Sequence, residues 1–122
     1  MDPRHQKRIK LLKQLFSYSF NTSQTLVKYP LISAIIINLE AIDKLIKTGA
    51  KRFPIDKMAK IDLAIIRLAI YELVFQKTEP EKVIINEAID LAKEFGSEKS
   101  YSFVNGVLSK FYTKINETSK PD

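Results

Sequence analysis

Ile66-Arg67-Leu68-Ala69-Ile70-Tyr71-Glu72-Leu73 sits within a stretch, residues 63–75, that is apolar on nearly every side of a helical wheel. A helix that is apolar all round is one covered on all sides by protein. Residues 55–76 are therefore predicted to form the central, buried helix of a bundle. Two charges interrupt it, Arg67 and Glu72. Five residues apart, they are separated by roughly 140° around the axis and cannot comfortably pair with each other. Each then needs a partner from a neighbouring helix, because an unpaired buried charge is expensive.

Four further segments have helical periodicity, and the alternation of apolar and polar residues that marks strands is missing, so the fold class is all-α, a bundle of about five helices. In residues 4–20, Ile9, Leu11, Leu12, Leu15, Phe16, Tyr18 and Phe20 fill one half of the wheel; Gln6, Lys7, Lys10, Lys13, Gln14 and Ser17 fill the other. Arg4 and Arg8 fall in line with the apolar half, one and two turns before Leu11 and Leu12, which places them at a rim beyond the core. Residues 21–25 read as a helix end and loop. Pro30 then starts a second helix, to about residue 47, whose face of Leu31, Ala34, Ile35, Leu39, Ile42 and Ile46 reads as core. After the central helix, Thr78 with Glu81 three residues on has capping-box spacing, and Ile84, Ala88, Leu91, Ala92 and Phe95 form a core stripe. Phe95-Gly96-Ser97 reads as a tight corner, with Gly96 at positive φ and Ser97 capping the last helix. That helix carries Tyr101, Val104, Leu108 and Phe111 on one face.

With 122 residues, 45% of them hydrophobic, the chain is expected to form a single domain over residues 1–115, with a polar tail at 116–122. It has no cysteine, which excludes disulfides and thiolate metal sites. Its longest apolar run, residues 31–39, falls far short of the roughly 20 needed to cross a bilayer, and the N-terminal segment is too broken by lysines for a secretory signal. A cytoplasmic location is expected. The net charge is +6, and the first 13 residues hold five cations, Arg4, Lys7, Arg8, Lys10 and Lys13, against one acid, Asp2. Such a segment suits an anionic partner, nucleic acid or a charged membrane surface, by long-range attraction and counterion release; a merely solvated helix start has the same composition. The single histidine, His5, has no cysteine to pair with, and glycines occur only at 49, 96 and 106, so neither a nucleophile dyad nor a glycine-rich phosphate loop can be built. The composition favours a binding protein over an enzyme.

Three strings in order, residues 66–73 above, Ile85-Asn86-Glu87-Ala88-Ile89-Asp90-Leu91-Ala92-Lys93, and Phe95-Gly96-Ser97-Glu98-Lys99-Ser100-Tyr101-Ser102-Phe103-Val104-Asn105-Gly106-Val107-Leu108, resemble the C-terminal bundle of the NusB family. The resemblance implies an all-helical fold of two small bundles. It further implies binding to the boxA element of nascent ribosomal RNA transcripts together with the ribosomal protein NusE, in an RNA polymerase antitermination complex and without catalysis or cofactor. By position it implies RNA contacts at the entry to the first helix (Arg4, His5, Lys7, Arg8) and at the corner 97–103 (Lys99 for phosphate, Phe103 for stacking), with ordinary core packing as the other reading of Phe103. Positions facing NusE in the family correspond to Phe16, Asp56 and Asp62. Only about ten residues separate the first helix from Pro30, where the family has room for another helix; the N-terminal sub-bundle is expected to be shortened, trimming a partner surface or leaving apolar surface for a second copy of the chain to cover. Two other functions fit the same strings: the RNA-binding domain of a ribosomal RNA cytosine methyltransferase, and a helical interaction module that binds no RNA.

Overall fold

The structure, a computed structural model, describes residues 2–20 and 29–119, with side chains as far as residue 116. The expected loop at 21–25 lies outside the described residues. The described chain is helical: α1 (Pro3–Phe20), α2 (Ser33–Ile37), α3 (Leu39–Gly49), α4 (Lys60–Ile70), α5 (Glu81–Phe95) and α6 (Ser100–Ser119). Short 3-10 turns precede α2 (Pro30–Ile32) and α4 (Ile55–Lys57), and α4 runs on as a π-helical segment, Tyr71–Gln76. The expected second helix is divided at Asn38 (φ −97°, ψ 9°), whose side-chain amide donates to the Ala34 carbonyl (2.7 Å). Helix α6 continues past residue 116, where the polar tail was expected to begin.

The axis of the fold is α4. It packs against α1, α3, α5 and α6, and every residue from Asp62 to Ile70 is buried. Each fully buried isoleucine or leucine there contributes roughly 1.5 to 3 kcal/mol relative to exposure. Arg67 finds its partner across the α3 interface: its Nε and Nη2 donate to Asp43 Oδ1 and Oδ2 at 3.0 and 2.9 Å. The two-pronged geometry fits the planar guanidinium.

Several local expectations are corrected. Leu31 and Ala34 are exposed and Ile32 is buried instead, because the entry turn is 3-10, advancing 120° per residue rather than 100°. Thr78 does not cap α5: Pro80 occupies the N-cap position (φ −60°, ψ 146°), and no side chain caps it. Gly96 ends α5 but at φ −91°, ψ −172°. Glycine serves there by close approach, since a Cβ would lie 2.4 Å from the Ser100 side chain and 2.7 Å from the Ala92 carbonyl. At the same corner the Ser97 N–H donates to Ser100 Oγ (2.9 Å), the back-reaching half of a capping box. The positive φ among the described residues is at Lys77 (53°), where its N–H closes the π-helical segment onto the Glu72 carbonyl (2.8 Å). Phe95 and Tyr101, read as core, are exposed; Tyr101 instead lies beneath the Lys93 ammonium, 4.8 Å from the ring centroid.

Candidate nucleic-acid interface

The N-terminal turns of α1 lie against the end of the π-helical segment and one face of α5, and this contact changes the reading of the basic terminus. Arg8 is not at a rim. It is only 4% exposed, and three acidic residues surround its guanidinium. Nε donates to both carboxylate oxygens of Glu72 (3.1 and 3.0 Å), Nη2 donates to Glu72 Oε1 (2.7 Å) and to Glu79, and Nη1 lies 3.8 Å from Glu87. Burial works against the charge, yet the hydrogen bonds and field of Glu72 and Glu79 outweigh it and raise the Arg8 pKa above its ordinary value. Glu72 thus has the partner from another helix that the sequence demanded.

Arg4, largely exposed, pairs with Glu79 (3.1 Å). His5 is held between two acids of α5, its Nδ1 2.9 Å from Glu87 Oε2 and its Nε2 3.2 Å from Glu94 Oε2. Hydrogen bonding to Glu87, opposed in part by burial and reinforced by Glu94, raises the His5 pKa above 6.5. Protonated His5 donates to both carboxylates, so its contribution to stability is complete below pH 6.5 and is lost as pH rises through the higher folded-state pKa. It is the chain's only histidine, and there is no cysteine. The melting temperature of the parent protein should therefore fall as pH is raised from 6 through the folded-state pKa, and His5→Gln should flatten that dependence. An unchanged slope in paired thermal scans would refute the clamp.

Of the residues expected to meet RNA at this end, Lys7 alone is an exposed cation without an ion pair among the described residues; Arg4, His5 and Arg8 are engaged by Glu72, Glu79, Glu87 and Glu94. Sequence reasoning missed the last three acids as partners of α1. Part of their signal was present, since Glu87 and Glu94, seven residues apart, return to one face of α5; Glu79 precedes that helix and gave none. At the other end, Lys99 is exposed in the turn before α6, and Phe103, half-buried, leans on Phe53 with ring centroids 5.1 Å apart at 60°.

The three positions expected to face a protein partner separate. Phe16, half-buried, lines an apolar groove of about 530 Å³ with Phe20, Ile61 and Phe95, rimmed by Lys13 and Lys60. Asp56 is exposed in the 3-10 turn before α4 and lies outside that lining. Asp62, next to Ile61 in the chain, is buried, and its Oδ1 has no hydrogen-bond partner. It sits in the first turn of α4, where the helix dipole favours a negative charge. Among the described residues no group of His, Cys, Asp and Glu could hold a metal ion, and no helix is long and apolar enough to cross a membrane.

The sequence pattern of the NusB family matches residues 19–113. The chain belongs to the NusB family. It is 52% identical over 79 residues to a protein of Agathobacter rectalis named transcription antitermination protein NusB, a match covering 65% of this chain and 60% of the relative. A protein of the same name from Alkaliphilus oremlandii is 41% identical over 97 residues, covering 80% and 70%. The chain thus spans about 60% of the length of the first of these NusB relatives. Among solved structures it is similar to T. maritima NusB, with a TM-score of 0.82 and 30% identity over 93% of this chain and 92% of that one. The fold also matches a chain from a crystal structure of the antitermination factors NusB and NusE in complex with dsRNA, with a TM-score of 0.75 and 22% identity over 93% and 99%.

Proposed function

We propose that this chain is a cytoplasmic antitermination factor that binds boxA-type ribosomal RNA transcripts together with ribosomal protein NusE, within an RNA polymerase antitermination complex. The observation that carries this reading is the similarity to NusB proteins named for transcription antitermination, with the family pattern extending over residues 19–113. The NusB fold in company with NusE and dsRNA supports the choice of partners. In this reading Lys7 and Lys99 meet phosphates directly, and Phe103 offers a stacking surface. Arg4, His5 and Arg8 hold the entry of α1 in place through their acids, with Arg4 exposed enough to turn to phosphate. Phe16 supplies the apolar contact to NusE, and Asp56 and Asp62 supply negative charge suited to a basic ribosomal protein.

Fluorescence anisotropy with a labelled boxA RNA, with and without purified NusE, tests the reading. Lys7→Ala with Lys99→Ala should weaken RNA binding and flatten its salt dependence by about 0.7 per lost contact on a log-log plot. Asp56→Lys, at an exposed position, should leave RNA binding intact and reduce NusE binding. Unchanged affinity and salt slope in the lysine variant would remove these two residues from the RNA face; no binding of boxA RNA by the parent chain, alone or with NusE, would remove the function.

A further inference from the structure

We infer that the cleft between the C-terminal end of α3 and the flank of α6 is a second RNA-binding surface, taking a single-stranded segment with Lys51, Arg52 and Lys110 on its phosphates and Phe53 against a base. The inference rests on the RNA-binding reading above and extends it beyond the Lys99 corner.

The cleft has a volume of about 770 Å³, with residues 48–53 on one side and a face of α6 from Ser102 to Lys114 on the other. No acidic residue lines it. Lys51, Arg52 and Lys110 are exposed, and none of them is in an ion pair among the described residues. The contrast with the N-terminus is direct. There the sequence concentrates charge but the fold sets four glutamates against Arg4, His5 and Arg8 and leaves Lys7, Lys10 and Lys13 exposed; here the sequence looks unremarkable and the fold gathers Lys51, Arg52 and Lys110 from two separate segments, with no acid in the lining. A concave surface lined by one sign of charge focuses potential onto whatever enters it.

The aromatic side of the cleft selects among polyanions. Phe53 is 43% exposed, a large ring left in water beside Arg52 and tilted against Phe103. Cations that follow a backbone beside an open aromatic ring make up the physical requirement for single-stranded nucleic acid, since every base has a face that stacks. The space over Gly106 at the centre of the cleft is open, since an added Cβ there would meet nothing within 4 Å. The cleft also continues the proposed RNA corner. Lys99, Phe103, Gly106 and Lys110 follow one another at intervals of four, three and four residues, a single stripe about 17 Å long at 1.5 Å per residue. A strand held at Lys99 reaches Lys110 without crossing to another face.

The test uses the 122-residue chain and a boxA-type single-stranded RNA. Lys51→Ala, Arg52→Ala and Lys110→Ala combined should weaken binding roughly tenfold to a hundredfold at moderate salt and reduce the log-log salt slope by about 2. Circular dichroism melts should be unchanged, as all three side chains are exposed. Affinity and slope equal to the parent's would overturn the cleft while leaving the RNA-binding reading intact; a parent chain that binds no RNA would overturn both. The chain has no tryptophan, so Phe53→Trp introduces a single indole at the proposed stacking position. Its fluorescence should be quenched at saturating RNA, and emission that does not respond would overturn the stacking contact. Poly-glutamate displacing the RNA as effectively as unlabelled RNA would make this a site for acidic protein and overturn the assignment.

Discussion

Arg8→Ala is expected to destabilise the fold by about 3 to 5 kcal/mol, the range for removing one partner of a buried ion pair. The guanidinium is buried among Glu72, Glu79 and Glu87, with Glu72 itself 6% exposed. Its removal leaves those acids facing one another with little water to screen them. Chemical denaturation should show a lower midpoint at unchanged slope. Glu72→Ala introduced into the Arg8→Ala background should recover part of the loss, because it deletes the most deeply buried stranded carboxylate. Arg4→Ala provides the comparison: its side chain is 71% exposed, and an exposed pair of this kind is worth about 0 to 1 kcal/mol. Equal effects for Arg4→Ala and Arg8→Ala would mean that burial does not govern this cluster. Because Arg8 is structural, a loss of RNA binding in an Arg8 variant would report unfolding as readily as a lost phosphate contact, and Lys7 and Lys99 are the informative positions.

Gly49→Ala should be the second large effect, against the usual direction for a glycine near a helix end. In a helix interior alanine is favoured over glycine by about 1 kcal/mol, and less at the last residue of α3. A Cβ at Gly49 would lie 2.4 Å from the Val107 backbone carbonyl and 3.2 Å from both Phe111 N and Phe111 Cβ. A backbone carbonyl within α6 cannot rotate away, so α3 and α6 must separate, and overpacking of this kind costs roughly 1 to 3 kcal/mol. The net change is destabilising. Gly106→Ala, which meets no atom within 4 Å, should show the ordinary gain of alanine in a helix. Reversal of that order in paired melts would contradict the packing described for α3 and α6.

The buried character of α4 was legible in the sequence because it needed no knowledge of neighbours: an all-round apolar helix has one physical solution. The demand that Arg67 and Glu72 find partners elsewhere was legible for the same reason, while the partners, Asp43 and Arg8, were not, since they lie 24 and 64 residues away. Arg8 was misplaced at the rim because a wheel gives the direction of a side chain and not what stands opposite it. Ile32 and Leu31 exchanged roles because a three-residue 3-10 turn shifts the register by more than the width of one side chain, and composition does not announce such a turn. At the candidate RNA face, Lys99 and Phe103 came from a contiguous string; Lys51, Arg52 and Lys110 belong to two segments that only the approach of α3 to α6 brings together.

The clamp on α1 has a temporal side. Arg8 emerges from a ribosome 64 residues before Glu72, and His5 emerges 82 before Glu87 and 89 before Glu94. At about 5 to 20 residues per second, the first helix spends several seconds to more than ten as a free polycation before its acids exist. During that interval the segment is open to nearby nucleic acid, and completion of α5 withdraws Arg4, His5 and Arg8 from it while Lys7, Lys10 and Lys13 stay exposed. The newborn chain and the finished protein therefore offer RNA different surfaces.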